Sequence, residues 1–239
     1  MFLHLLPSRT GSAAENMAAD FLLLQRYPGE TAARFRHYGW HRPAYTFGYS
    51  QKIAFVRGQI PAGLSPDLCR RPTGGGIVDH REDWTYALVI PRGHPLEEIR
   101  ATTSYREIHE ALAAALREQA VAAVTKQKVE TESEEGGATG PGVCFQRAEV
   151  FDVVHESTGE KIAGAAQKRN KNGLLFQGSL WRPAVGMPVD WDRFTEEFST
   201  RLARALGCEA EATPWPDFNE DEVSGLVDQY SSPEWIEAR

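Results

Sequence analysis

The sequence predicts a single α+β domain in which helices pack on a mixed, largely antiparallel sheet. Segments with strand-like patterns outnumber the helical ones, and neighbouring strands are joined by short turns. Strands and helices do not alternate regularly, so a dinucleotide-binding fold is not expected. The 239 residues can bury one full core, and we expect a domain over residues 1–213 followed by an acidic tail over residues 214–239.

Helical patterns cover the smaller part of the chain. The first spans residues 12–27, where Ser12 and Glu15 have the spacing of a capping box and a Pro-Gly pair ends the apolar periodicity. Further helices are predicted for residues 105–121, 191–206 and 221–230. The glutamate-rich segment 128–142 lacks the apolar residues of a packed element, so we expect a mobile surface loop that could close over a substrate.

Strand patterns recur along the whole chain. They are predicted for residues 1–6, 33–38, 44–49, 67–71, 84–90, 151–155, 161–167 and 174–181. A turn at residues 40–43 joins the second and third of these strands. Hairpin turns are indicated at residues 157–159 and by the Lys-Asn-Gly sequence at 171–173.

Composition excludes several classes of protein. A net charge of −7 argues against general nucleic-acid binding, and no apolar run reaches the roughly 18 residues of a membrane span. The N-terminus lacks a basic region, so we interpret it as a strand rather than a signal peptide. Three widely spaced cysteines match neither a zinc site nor a disulfide framework, which indicates a cytoplasmic protein. Asp79, Glu82 and Asp83 match no metal-ligand motif and are predicted to be solvated, so no metal site is expected.

The segment from Arg70 to His80 combines fixed positive charge with three successive glycines, Gly74–Gly76. Glycine permits positive φ and leaves backbone N–H groups uncovered, so a carboxylate, phosphate or thioester can approach closely. A tight turn would use the same glycines. His80 could bond a ligand or fasten the loop, and Trp40 could form a wall of a pocket or simply pack in the core.

Two further residues could carry chemistry. Lys161 precedes the small residues Ala163, Gly164 and Ala165, which leave room for a ligand and indicate more than a solvated lysine at a turn. A cation there could polarise an acyl carbonyl or neutralise a phosphate. Cys144 could be a nucleophile whose thiolate is favoured by nearby cations, or a small buried apolar residue.

Together these segments resemble the family of lipoate–protein ligase A and the octanoyltransferases, which shares its catalytic fold with the biotin protein ligases. The resemblance covers about residues 1–206. It rests on four motifs in order: the helix start at 15–20, the YGW-containing strand pair at 38–51, the Arg-Arg-Pro-Thr-Gly-Gly-Gly segment with His80, and the Lys161 hairpin with residues 177–180.

The resemblance implies a class II biotin/lipoate protein ligase-like fold and an enzyme of protein lipoylation. Such enzymes place an octanoyl or lipoyl group on one lysine of a lipoyl domain or of the glycine-cleavage H protein. By resemblance Lys161 would be the catalytic lysine. Arg70 and the backbone of Gly74–Gly76 would orient the acyl carboxyl end, and the small residues after Lys161 would make room for the chain.

Two reactions occur in this family. A cysteine-dependent octanoyltransferase takes its acyl group from acyl carrier protein and needs no cofactor, whereas a lipoate ligase uses ATP and Mg²⁺ to form an acyl-adenylate. Cys144 lies 17 residues before Lys161, similar to the transferase nucleophile, while the third glycine, Gly76, is more typical of ligases. We favour acyl transfer through Cys144. A non-catalytic lipoate- or biotin-binding module is a further alternative, which the presence of Lys161 disfavours.

Overall fold

The computed structural model describes residues 1–29, 31–127, 145 and 147–238, and these ranges contain twelve strands, seven α-helices and one short 3-10 helix at Arg182–Val185. The strands are β1 (Phe2–Leu5), β2 (Arg9–Gly11), β3 (Ala33–Trp40), β4 (Ala44–Phe47), β5 (Asp67–Arg70), β6 (Ile77–Asp79), β7 (Asp83–Pro91), β8 (Ala123–Thr125), β9 (Val153–His155), β10 (Lys161–Asn170), β11 (Gly173–Trp181) and β12 (Glu209–Ala212). The helices are α1 (Ala13–Gln25), α2 (Ile53–Gln59), α3 (Pro95–Glu98), α4 (Ala101–Arg117), α5 (Trp191–Ala205), α6 (Glu220–Ser231) and α7 (Pro233–Ile236).

The main sheet has the strand order β12-β1-β3-β7-β11-β10-β9-β8, and β2 also pairs with β3. Its pairs from β3 through β7, β11, β10 and β9 to β8 are antiparallel, while β12, β1 and β2 join in parallel. A smaller sheet has the order β5-β4-β6. The main sheet confirms the prediction of a mixed, largely antiparallel sheet packed by helices.

The predicted turn at residues 40–43 joins β3 to β4, although β3 lies in the main sheet and β4 in the smaller one. One detail of the predicted connectivity is wrong. Strand–helix–strand units are present, since β1 and β3 pair in parallel across α1, and β4 and β5 pair in parallel across α2. Short strands can pair with distant partners, and the local pattern of residues does not contain that choice.

The main sheet carries helices on both faces. On β7, Trp84, Tyr86 and Leu88 join the core formed by α4 and α5, whereas Ala87 and Val89 face the apolar residues of α1. Successive side chains of a strand point to opposite faces, so β7 is buried on both sides. The site described below lies where β10 and β11 meet the smaller sheet.

Residues 214–238 pack against the rest of the chain. Tyr230 of α6 joins Met17 and Ala18 of α1 in one apolar cluster. The predicted division at residue 213 stays a prediction. Among the described residues, no helix combines the length and the apolar character that crossing a membrane requires.

Candidate active site

A narrow cavity of about 40 Å³ opens between β10–β11 and the glycine segment. One wall consists of small residues, namely Gly164, Ala165, Ala166 and Gly178. Other lining residues are Met17, Tyr38, Trp40, Thr46, Arg71, Gly75, Gly76, Val78, His80, Thr85, Gln177 and Ser179. Most of this surface is apolar, so an aliphatic chain would be a suitable occupant.

Lys161 begins β10 and lies beside this wall. Its Nζ is 2.7 Å from Oδ2 of Asp152, and the two side chains are only 6% and 1% exposed. A Cβ built on Gly164 would come within 2.8 Å of both Cε and Nζ of the lysine. The absence of a side chain at Gly164 therefore lets the lysine amine reach the edge of the cavity, where a cation can polarise a carbonyl oxygen.

Asp152 is held from two further sides. Its Oδ1 accepts a hydrogen bond of 2.5 Å from the Tyr105 hydroxyl, and its Oδ2 accepts one of 2.7 Å from the backbone N–H of Glu149. The same hydroxyl accepts a bond of 2.9 Å from the backbone N–H of Ala165. Tyr105 on α4 therefore connects the carboxylate that pairs with Lys161 to a residue of the cavity wall.

His109 lies under this group. Its ring centroid lies 4.1 Å from that of Tyr105, with the two ring planes tilted by 58°, and its Nδ1 bonds the carbonyl oxygen of Phe151 at 2.7 Å. Burial lowers the pKa of His109 to about 4, so the imidazole is neutral at physiological pH.

A second polar cluster is centred on Asp83. Its Oδ2 lies 2.6 Å from Nδ1 of His80 and accepts bonds of 2.8 Å and 2.5 Å from the hydroxyls of Thr85 and Ser179. The prediction that Asp83 is solvated is wrong, because the side chain is buried among these partners. Trp40 stacks on His80 at 4.1 Å and donates to Thr85, so the indole closes over the cluster.

Arg71 connects the cluster to the glycine segment. It donates to the Thr46 hydroxyl, which lies 2.7 Å from Nε2 of His80, and to the carbonyl oxygens of Gly74 and Gly76. These contacts hold the glycine segment against the cavity with its carbonyl groups turned toward the guanidinium.

The glycines are required by local geometry at two places. Gly75 has φ +89°, a conformation that other residues rarely adopt. A Cβ on Gly48 would lie 2.1 Å from the carbonyl oxygen of Gly75, so β4 and the glycine segment touch through their backbones. Gly74 is exposed, and no atom of the part of the chain that the structure describes lies within 4 Å of the place where its Cβ would stand.

The structure brings together most of the predicted site residues. Those that line the cavity are Trp40, Gly75, Gly76, His80, Gly164 and Ala165. Gly74 lies at the exposed edge, and Ala163 belongs to the apolar core. Arg70 does not reach the cavity, because its fully buried guanidinium bonds backbone carbonyl groups elsewhere, and Arg71 faces the cavity instead.

Cys144 and the segment 128–142 lie outside the described residues. Phe145, which follows Cys144 in the sequence, is described. Its ring centroid is 6.0 Å from Nζ of Lys161 and 5.8 Å from the ring of Trp181.

Sequence reasoning missed two residues of the lysine cluster. Asp152 could have been found, because a lone acidic residue among Phe151, Val153 and Val154 is a charge in a strand that is otherwise apolar, and such a charge needs a partner. Tyr105 carries no comparable signal, since an aromatic residue near a helix start is common in cores. Over the described ranges, no three histidine, cysteine or acidic side chains are grouped closely enough to hold a metal ion.

Comparisons with known proteins agree with this geometry. The family model of the lipoyl protein ligase A/B catalytic domain matches residues 12–182. The chain is similar to octanoyltransferase LipM of Kyrpidia tusciae, at 28% identity over 97% of both chains. It is also similar to octanoyltransferase LipM of Geobacillus kaustophilus, at 35% identity over 70% of this chain and 60% of the relative. The fold is shared with a crystal structure of lipoate-protein ligase A bound with ATP, with a TM-score of 0.75, 18% identity and 99% of each chain covered.

Proposed function

Because the chain belongs to the lipoyl protein ligase A/B catalytic domain family, we propose that it is an enzyme that transfers an octanoyl group to a lysine of a carrier protein. The acceptor is a lipoyl domain or the glycine-cleavage H protein. Two relatives named octanoyltransferase LipM support the octanoyl group over the lipoyl group. The observation that carries the proposal is the amine of Lys161 beside Gly164, at the edge of a mostly apolar cavity.

The residues of the cavity have separate roles in this reaction. The small residues of β10 and β11 receive the aliphatic chain, and the Lys161 ammonium stabilises charge that develops on the acyl carbonyl oxygen. Asp152 and Tyr105 hold that ammonium in place. Arg71 keeps the glycine segment closed over the chain, so much of the rate comes from positioning.

Cys144 is the proposed nucleophile. The Cys144 thiol loses its proton, and the resulting thiolate attacks the carbonyl carbon of an octanoyl thioester on acyl carrier protein. A new C–S bond forms as the old one breaks, and the carrier sulfur takes up the proton that Cys144 lost and leaves as a thiol. The acceptor lysine amine then attacks the enzyme thioester, an amide forms, and the amine proton returns to the sulfur of Cys144. This route uses no cofactor.

The other two cysteines are poorer candidates. Burial raises the pKa of Cys69 to about 12, and its thiol donates to the carbonyl oxygen of Tyr230. Burial also raises the pKa of Cys208, which packs at the edge of the core. Thiols of this kind remain protonated at neutral pH, and we expect them to stay reduced in the cytoplasm.

Intact-mass measurement after incubation with octanoyl-acyl carrier protein tests the proposal. Wild type and Cys208→Ser should gain the mass of one octanoyl group, and Cys144→Ser should gain none. Addition of a lipoyl domain should discharge the adduct and octanoylate the acceptor. An adduct that survives Cys144→Ser, or acceptor modification without any enzyme adduct, would contradict the cysteine route.

ATP-dependent lipoate ligation is the second candidate, favoured by the exposed backbone at Gly74. Among the described residues, no atom lies within 4 Å of where a Cβ on Gly74 would stand, so a nucleotide phosphate could approach the N–H groups of the glycine segment, and these residues fit such a group. ATP with Mg²⁺ would supply activation of the free lipoate carboxylate. Lipoate-dependent exchange of pyrophosphate into ATP would establish this route. Absence of exchange from an enzyme that modifies a lipoyl domain with octanoyl-acyl carrier protein would reject it.

A further inference from the structure

Arg70 is a buried cation that joins two distant parts of the chain. Its Nη1 donates to the carbonyl oxygens of Tyr49 at 2.7 Å and Gln51 at 2.8 Å. Its Nε and Nη2 donate to the carbonyl oxygens of Trp235 at 3.1 Å and Ile236 at 2.8 Å. The side chain is 0% exposed, so these carbonyl dipoles take the place of water around the charge.

The contact between Arg70 and the C-terminal helix α7 is reciprocal. The indole Nε1 of Trp235 donates to the carbonyl oxygen of Arg70 at 2.8 Å. The Trp235 ring lies 6.0 Å from Tyr49 and 5.2 Å from Tyr230, and Ile236 packs against the apolar cluster of the smaller sheet. Helix α7 therefore contacts Tyr49 directly through the Trp235 ring, and it is also linked to Tyr49 and Gln51 through the Arg70 guanidinium.

That segment, residues 48–51, in turn lies on the glycine segment. The backbone N–H of Tyr49 donates to the carbonyl oxygen of Thr73 at 2.9 Å. The side-chain amide of Gln51 donates to the carbonyl oxygen of Gly75 at 3.3 Å. Gly48 touches Gly75 through the backbone, as described above. Three successive contacts thus lead from Trp235 through Arg70 and residues 48–51 to Gly75 in the cavity wall.

We propose that helix α7, acting through Arg70, is a positioning element of the acyl site. It holds residues 48–51, and these residues hold the glycine segment in the shape that closes the cavity. Arg70 and Trp235 are positioning residues, since neither lines the cavity. The inference rests on the proposed function, because it assumes that this cavity receives the acyl group.

Trp235→Ala is the primary test, and Trp215→Ala is its matched control. Trp215 also lies in the C-terminal segment and also donates to a backbone carbonyl, that of Pro7, but it packs on a different apolar cluster. Steady-state transfer from octanoyl-acyl carrier protein to a lipoyl domain gives KM and kcat for each variant. Hydrogen–deuterium exchange without substrate reports on the amides of Tyr49, Gln51 and Arg71, which donate to the carbonyl oxygens of Thr73, Gly48 and Phe47.

We expect Trp235→Ala to raise KM for the acyl donor about tenfold, more than it lowers kcat. Loss of the indole ring and of its hydrogen bond to the carbonyl oxygen of Arg70 should speed exchange of these amides by about tenfold or more. Trp215→Ala should lower the Tm without either effect. A Trp235→Ala variant with a lowered Tm but wild-type KM and local exchange would overturn the proposal.

Two milder variants keep the test valid if Trp235→Ala does not fold. Trp235→Phe keeps an aromatic ring and loses only the bond to the carbonyl oxygen of Arg70, so a smaller increase in local exchange is expected. Arg70→Lys keeps the charge but lacks the planar guanidinium that bonds residues 49 and 51 and helix α7 at once. Its local amide exchange should therefore rise as much as that of Trp235→Ala. Wild-type exchange in both variants would contradict the proposal. The exchange measurement needs no catalysis. If the wild-type enzyme failed the acyl-transfer assay, the proposed function would be rejected, and the exchange rates would still decide whether α7 holds residues 48–51 in place.

Discussion

The ammonium nitrogen of Lys161 lies 2.7 Å from a carboxylate oxygen of Asp152, and both side chains are almost completely shielded from water. Removing two charges from water costs several kcal/mol per ion, and their attraction offsets that cost only while both are present. The pair therefore holds the lysine amine beside Gly164, at the edge of the cavity.

Breaking this pair from one side should be costly. Asp152→Asn should lower the free energy of unfolding by about 3–5 kcal/mol, because it leaves a buried ammonium without its carboxylate. Lys161→Met should lower it as well and should abolish acyl transfer, while the double variant should be less destabilised than the sum of the two. Urea unfolding of the four proteins measures the coupling. Additive effects would show that the two charges do not stabilise each other.

The Tyr105 hydroxyl should matter for rate more than for folding. Tyr105→Phe keeps the ring on His109 but removes the bonds to Asp152 and to the N–H of Ala165, so kcat should fall about tenfold. Tyr27→Phe loses a hydroxyl that bonds His4 away from the cavity and should keep the wild-type kcat. Equal kcat values for the two variants would show that the Tyr105 hydroxyl does not help to position Lys161.

Substitution by alanine should lower the free energy of unfolding at one glycine of the site, Gly178, and leave it nearly unchanged at another, Gly74. In Gly178→Ala the new Cβ would lie 2.1 Å from Cε1 of Tyr86, and the overlap should destabilise the protein by about 1–3 kcal/mol. In Gly74→Ala the new Cβ meets no atom of residues 1–29, 31–127, 145 and 147–238 within 4 Å, so the free energy of unfolding should stay within about 0.5 kcal/mol of the wild-type value. Thermal unfolding distinguishes them, and similar Tm values would contradict the described packing of β11 on Tyr86.

Stability should fall in mild acid through His109. Its pKa is lowered from 6.5 to about 4 by burial, next to Asp152 and Lys161. Between these values the unfolded chain binds a proton that the folded chain does not, so the free energy of unfolding decreases as the pH drops from 6.5 toward 4. The decrease from this group is at most of the order of 3 kcal/mol. His109→Gln should flatten that part of the profile, and parallel profiles would argue against a buried neutral imidazole.

The parts of the fold that sequence predicted well are those decided by near neighbours in the chain. Ser12 and Glu15 form both bonds of the capping box, at 3.2 Å and 2.6 Å, where α1 begins. The predicted Lys-Asn-Gly turn joins β10 to β11, with Gly173 at φ +137°. In each case the required residues lie within three positions of one another.

The site depended on choices that no local pattern contains. Arg70 and Arg71 are neighbours in an extended segment, so their side chains point in different directions, and the sequence does not say which side faces the cavity and which faces α7. Tyr105 and Asp152 are 47 positions apart and meet because α4 packs beside β9 and β10. The charge of Asp152 indicates that it needs a partner, but only the chain topology determines that Tyr105 and Lys161 are its partners.

The small residues beside the cavity also determine where its selectivity can be changed by mutation. Gly164 and Gly178 do not tolerate substitution, because any side chain there would overlap Lys161 or Tyr86. Ala166 instead has its methyl group directed toward the glycine segment, since its Cβ stands 3.6 Å from where a Cβ on Gly75 would be. Ala165, its neighbour in β10, packs against the core on the opposite face of the sheet. A saturation library aimed at acyl-chain length should therefore begin at the Ala166 codon, where bulk can be added without displacing the lysine.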